Sequence, residues 1–139
     1  MDDNLYREEL MEVYKSTKNR GTLVSPSVEV LEKNPLCGDQ IKLQFEISED
    51  GIITDAKFDG SACAVSVISS AYLMDNLVGK SIEHAKKLTK EDLMGLIGIN
   101  LTTSRVKCAT LALEGLKNAI GKYENGKSNT ENKNKNKNR

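Results

Sequence analysis

Ile41-Lys42-Leu43-Gln44-Phe45-Glu46-Ile47-Ser48 alternates apolar and polar side chains without a break. A period of two sends successive side chains to opposite faces of an extended chain, so this stretch reads as a half-buried strand. Glu49-Asp50-Gly51 follows as a hairpin turn, and Ile52-Ile53-Thr54-Asp55-Ala56-Lys57-Phe58 returns as the next strand. Upstream, Val28 and Val30 alternate with Ser27 and Glu29 until a Lys33-Asn34-Pro35 break. These runs predict three antiparallel strands, the first two joined by the loop that carries Cys37 and Asp39.

The flanking segments have helical spacing. Asn4 to Lys15 places Leu5, Tyr6, Leu10, Met11, Val13 and Tyr14 on one face, which predicts a helix docked on the core. Lys18-Asn19-Arg20-Gly21 reads as a polar turn. Beyond Asp59-Gly60 the chain is rich in small residues from Ser61 to Ala71, predicting a helix capped by Ser61 that runs to Asn76 or Leu77 and stops near Gly79. Ser81 caps a short helix to Lys87, and Thr89, with Asp92 three residues on, caps another to Ile97. Ser104 is a candidate cap for a long C-terminal helix whose buried face takes in Val106, Leu113, Leu116 and Ile120. From Gly121 the chain turns polar and ends in an Asn/Lys repeat that buries too little to offset its chain entropy. One domain is therefore expected over residues 1–122, with a disordered tail over 123–139.

Twenty basic and twenty acidic residues cancel in this 139-residue chain, so no field of one sign points to nucleic acid or to a membrane surface as a partner. No early apolar run resembles a signal peptide, and no stretch approaches the roughly 20 apolar residues that span a bilayer. A cytoplasmic location is expected. Three cysteines are an odd number, and thiols stay reduced in that compartment, which leaves metal binding, thiol chemistry or plain burial.

Asn34-Pro35-Leu36-Cys37-Gly38-Asp39 sets a thiol and a carboxylate two residues apart across a glycine. Proline fixes one backbone angle and glycine permits positive φ, so a tight bend can aim both groups at one point. Cys63 and Cys108 each fall near a predicted helix start, where unpaired amides and the macrodipole stabilise a thiolate. Cys37, Asp39, Cys63 and Cys108 would supply three thiolates and one carboxylate, a set suited to tetrahedral zinc or iron-sulfur chemistry. Lone cysteines in alanine-rich segments are also commonly buried small hydrophobes. His84 is the single histidine and lies beside Glu83 on a charged short helix, which predicts a solvent-facing side chain. A cysteine-nucleophile hydrolase would need that base beside Cys63 or Cys108, and nothing in the sequence brings it there.

Three motifs in order, Asn34 to Asp39, Ala56-Lys57-Phe58-Asp59-Gly60-Ser61-Ala62-Cys63-Ala64-Val65-Ser66, and Arg105-Val106-Lys107-Cys108-Ala109-Thr110-Leu111-Ala112, resemble the iron-sulfur cluster assembly scaffold family. That family includes IscU, SufU and the N-terminal domain of NifU, and the resemblance covers roughly residues 4 to 120, with Leu5-Tyr6-Arg7 at its start. It implies an α+β fold, a three-stranded antiparallel sheet covered by helices with an N-terminal helix and a long C-terminal helix. It also implies that Cys37, Asp39, Cys63 and Cys108 bind Zn2+ or a transient [2Fe-2S] cluster. A cysteine desulfurase as sulfur donor and recipient apoproteins are the implied partners, with Cys108 as candidate persulfide acceptor. Arg105 and Lys107 flank Cys108, and nearby cations favour the thiolate that attacks a persulfide, which makes Arg105 the candidate thiolate stabiliser.

The third motif is similar to SufU, since IscU-type members carry a histidine where this chain has Lys107. The span from Cys63 to Cys108 is short, as in IscU, and lacks the insertion usual in SufU. Ala62 replaces the family glycine before the second cysteine, and Val13 and Thr17 replace a histidine and a proline of SufU-like chains. Two roles follow from the resemblance: a cluster scaffold, or a zinc-dependent sulfurtransferase partner of a desulfurase.

Overall fold

A computed structural model describes residues 3–16, 18–34, 38–98 and 103–136. The alternating stretch forms the middle of a three-stranded antiparallel sheet, in the order β1 (Val28–Asn34), β2 (Asp39–Ile47), β3 (Ile53–Ser61). Leu43 sits opposite Val30 on one side and Phe58 on the other. Ile41, Leu43 and Phe45 join Ile53, Ala56 and Phe58 on the inner face, each at most 2% exposed. Between β2 and β3 the Gly51 amide donates to the Ser48 carbonyl, closing the expected turn.

The inner face is covered by α2 (Ala64–Leu77) and α5 (Thr103–Asn136), with α1 (Asp3–Lys15), α3 (Ile82–Lys87) and α4 (Lys90–Ile97) around them. Leu73, Met74 and Leu77 of α2 and Ala109, Ala112, Leu116 and Ala119 of α5 are fully enclosed, so the helices contribute aliphatic and thioether side chains to the core. Helix α5 lies so close to the sheet that a Cβ on Gly115 would stand 2.4 Å from Leu43 Cδ1. Leu113, Leu116 and Ile120 are buried as expected, whereas Val106 is only half-buried. Among the described residues no helix is long and apolar enough to cross a membrane.

Local caps formed as expected in two places. The Ser81 hydroxyl accepts the His84 amide, and Thr89 and Asp92 make a reciprocal capping box. Ser61 does not cap α2: it is the last residue of β3, paired with Gln40, and the helix begins only after the chain leaves the ladder, with Cys63 as N-cap. Ser104 lies inside α5 rather than before it, so Cys108 falls in the second turn. Helix α5 is described as far as Asn136, past Gly121 where the chain turns polar. Tyr123 packs on the core and Glu124 pairs with Lys86 at 2.5 Å, and extending an existing helix adds a hydrogen bond per residue without a new nucleus.

The polar turn at 18–21 also does more than turn. Phe58 donates its amide to the Asn19 carbonyl and accepts from Gly21, so this segment pairs with the free edge of β3. The chain then crosses the outer face of the sheet as a strap to Ser27, burying Leu23. Gln44, which alternation points outward, is only 3% exposed because the strap covers it. Its Oε1 accepts the Leu23 amide at 2.7 Å and its Nε2 donates to Glu29 Oε1 at 2.5 Å, so both ends of the buried amide are satisfied.

Candidate metal centre

The site forms where β2 begins and β3 ends. Gly38 adopts φ +77, and its amide donates to the Asn34 carbonyl at 2.8 Å, closing the bend that delivers Asp39 as the first residue of β2. Opposite, Gly60 has φ +142, and a Cβ there would lie 2.1 Å from the Gln40 carbonyl oxygen. Only glycine lets β3 run this close to β2 before the chain turns into α2. Cys63 is thereby set against Asp39, and its amide donates to Asp39 Oδ1 at 3.0 Å. The carboxylate thus faces the positive end of α2, a favourable placement for a negative charge. Cys108 arrives from α5, which packs along α2.

Asp39, Cys63 and Cys108 each offer a ligand atom, and these three atoms all lie within 4.8 Å of one another. A tetrahedral ion with bonds of roughly 2.0–2.3 Å holds its donors roughly 3.5 Å apart, so a small inward movement would complete the contacts. Two thiols and a carboxylate also match the ion chemically, soft sulfur with one harder oxygen. Asp39 and Cys108 are 5% and 4% exposed, whereas Cys63 is half-buried and gives the site its opening. The structure therefore brings together three of the four residues expected to be ligands. Cys37 lies in the 35–37 stretch, outside the described residues.

Arg105 is on α5 three residues before Cys108, with its side chain outside the described part of the chain, and Lys107 is exposed. His84 is exposed on α3 and does not belong to the ligand cluster.

Sequence reasoning passed over Ser66. This residue is fully buried in the first turn of α2, and its hydroxyl donates to Asp39 Oδ2 at 2.6 Å. The same oxygen lies 2.9 Å from the Cys108 carbonyl oxygen and 3.6 Å from Cys63 Sγ. Its one signal in the sequence is its place three residues after Cys63, which sets both on one helical face.

The chain belongs to the NifU-like N-terminal domain family, which matches residues 5–130. Two relatives differ in what their names assign to them. The zinc-dependent sulfurtransferase SufU of Bacillus subtilis (strain 168) is 34% identical over 141 residues, covering 89% of this chain and 95% of that protein. The iron-sulfur cluster assembly scaffold protein IscU of Rickettsia prowazekii (strain Madrid E) is 32% identical over 127 residues, with the same coverage of 89% and 95%. The crystal structure of a nitrogen-fixing NifU-like protein (N-terminal) from Brucella abortus shares the fold, with a TM-score of 0.71 at 18% identity over 88% of this chain and 96% of that one.

Proposed function

We propose that this protein is an iron-sulfur cluster assembly scaffold that accepts sulfur from a cysteine desulfurase, assembles a labile [2Fe-2S] cluster on Cys37, Asp39, Cys63 and Cys108, and passes it to recipient apoproteins. The observation that carries this reading is the convergence of Asp39, Cys63 and Cys108 from β2, the α2 N-terminus and α5 on one point. Membership of the NifU-like family and similarity to an IscU scaffold support it. The chain is a carrier in this reading, and the cluster is its cargo.

In the sulfur-accepting step, the Cys108 thiolate attacks the outer sulfur of the desulfurase persulfide. The S–S bond breaks, the desulfurase thiolate leaves, and Cys108 holds the persulfide with no net oxidation. Cys108 is 4% exposed, so docking of the donor must uncover it. Arg105 is assigned to favour its thiolate. Arg105→Ala is expected to slow alkylation of Cys108 in the metal-free protein at neutral pH, and an unchanged rate removes that role. Mapping of persulfide by mass spectrometry is expected to place sulfur on the Cys108 peptide, and sulfur on Cys63 instead would reassign the acceptor.

Anaerobic reconstitution with ferrous iron, cysteine, a desulfurase and a dithiol, which supplies the electrons that take persulfide sulfur to sulfide, should yield a visible charge-transfer spectrum that Cys63→Ser weakens. Absence of any cluster under those conditions would overturn the scaffold reading. Similarity to a zinc-dependent sulfurtransferase, with Lys107 and Arg105 around Cys108, supports a second reading in which resident zinc organises the site for sulfur transfer. That reading requires zinc to raise desulfurase turnover through this protein while no cluster forms on it.

A further inference from the structure

A buried hydroxyl touches every described ligand of the site. Ser66 Oγ donates to Asp39 Oδ2 at 2.6 Å, lies 2.9 Å from the carbonyl oxygen of Cys108, and lies 3.6 Å from Cys63 Sγ. The other Asp39 oxygen, Oδ1, accepts the Cys63 amide at 3.0 Å. With a donor on each oxygen, rotation of the carboxylate about its own axis is blocked from both sides. Asp39 is 5% exposed, so water does not replace these donors freely. The hydroxyl carries one proton and faces two oxygen acceptors, Asp39 Oδ2 and the Cys108 carbonyl. It therefore couples the carboxylate on β2 to the backbone that presents the third thiol.

From this we propose that Ser66 is a positioning residue of the metal centre, fixing the Asp39 carboxylate plane and tying it to the Cys108 turn before any ion or cluster arrives. The assignment rests on the ligand role proposed above for Asp39. Groups bonded to a ligand's far side orient that ligand, and their removal typically lowers metal affinity about 10- to 100-fold.

Ser70 provides the structural comparison. It is as deeply buried in the same helix, but its hydroxyl donates to the Ser66 carbonyl at 2.7 Å, a bond to the helix backbone rather than to a ligand side chain.

The test is zinc affinity of the full chain, measured by competition with a chromophoric chelator, with cobalt(II) spectra of the loaded proteins alongside. Ser66→Ala is expected to weaken zinc binding about 10- to 100-fold and to shift the cobalt ligand-field bands. Ser70→Ala is expected to lower thermal stability while leaving affinity and spectrum as in the wild type. Wild-type affinity in Ser66→Ala, or an equal loss in Ser70→Ala, overturns the proposal. A second comparison stands even if Ser66→Ala alone does not fold: Asp39→Ala against Asp39→Ala/Ser66→Ala, a pair that leaves no orphaned acceptor at Oδ2. Equal affinities support action through Asp39, and a further loss of about tenfold overturns it. A wild type that binds no zinc, with Asp39→Ala indistinguishable from it, would instead bring down the ligand reading itself.

Discussion

Asp39 differs from Cys63 and Cys108 in the hardness of its donor atom. Carboxylate oxygen exchanges on iron more readily than thiolate sulfur, so a cluster held partly by Asp39 is easier to hand on. Asp39→Ala is therefore expected to lengthen the lifetime of a reconstituted cluster, followed as decay of its visible absorbance, and faster decay would contradict the role. Gly60 acts one step away, by geometry alone. With φ +142 and a Cβ position 2.1 Å from the Gln40 carbonyl, Gly60→Ala forces β3 off β2 where it delivers Cys63. A loss of at least about 1–3 kcal/mol, read from the denaturation midpoint, is expected. At this scale side-chain chemistry marked Asp39, Cys63 and Cys108 as possible donors but left plain burial of the cysteines open, and it was the family resemblance that joined them into one site. Ser66 was not legible, because α2 holds three buried serines and only the convergence of three elements singles one out.

The elements whose cues are local emerged from the sequence nearly as they stand in the structure. The period of two in β2, the Ser81 cap and the Thr89–Asp92 capping box involve only near neighbours. Features set by distant partners did not emerge. Pairing with Gln40 takes Ser61 from α2, and the strap turns Gln44 from a surface residue into a buried one. The same holds for the end of α3, where Lys117 Nζ from α5 donates to the carbonyls of Ala85, at 3.2 Å, and Lys86. Burial lowers the Lys117 pKa below the usual 10.5, against an opposing pull from Asp92. Below 10.5 the unfolded chain then binds more protons at this position than the folded one, so the Lys117 contribution to stability rises with pH through that window. Relative to Lys117→Met, the wild type should gain stability as pH is raised from neutral toward about 10, measured by denaturant titration. A flat difference would show that the burial has no energetic effect.

Across the whole molecule, the candidate ligands join segments far apart in the chain: Asp39 opens β2, Cys63 caps α2, and Cys108 lies in α5. An ion bound to all three binds only the folded chain, so free zinc at about 100 times its dissociation constant should add about 2.7 kcal/mol. That corresponds to a rise of roughly 5–10 °C in thermal midpoint for a chain of this size, reversed by a chelator and absent in a Cys63→Ser/Cys108→Ser variant. The strap has a separate consequence, for how copies of the chain meet one another. A sheet edge with unpaired amides and carbonyls is a template on which another chain can add a strand. Residues 19–21 close the β3 edge, and on β1 Lys122 Nζ occupies the Glu29 carbonyl at 2.7 Å, placing a cation along the other edge. Removing that cation with Lys122→Ala should raise the rate of self-association at high concentration, followed by light scattering, while the circular dichroism spectrum of the folded chain stays as in the wild type. The sheet that presents Asp39 is thus also shielded against templating copies of itself.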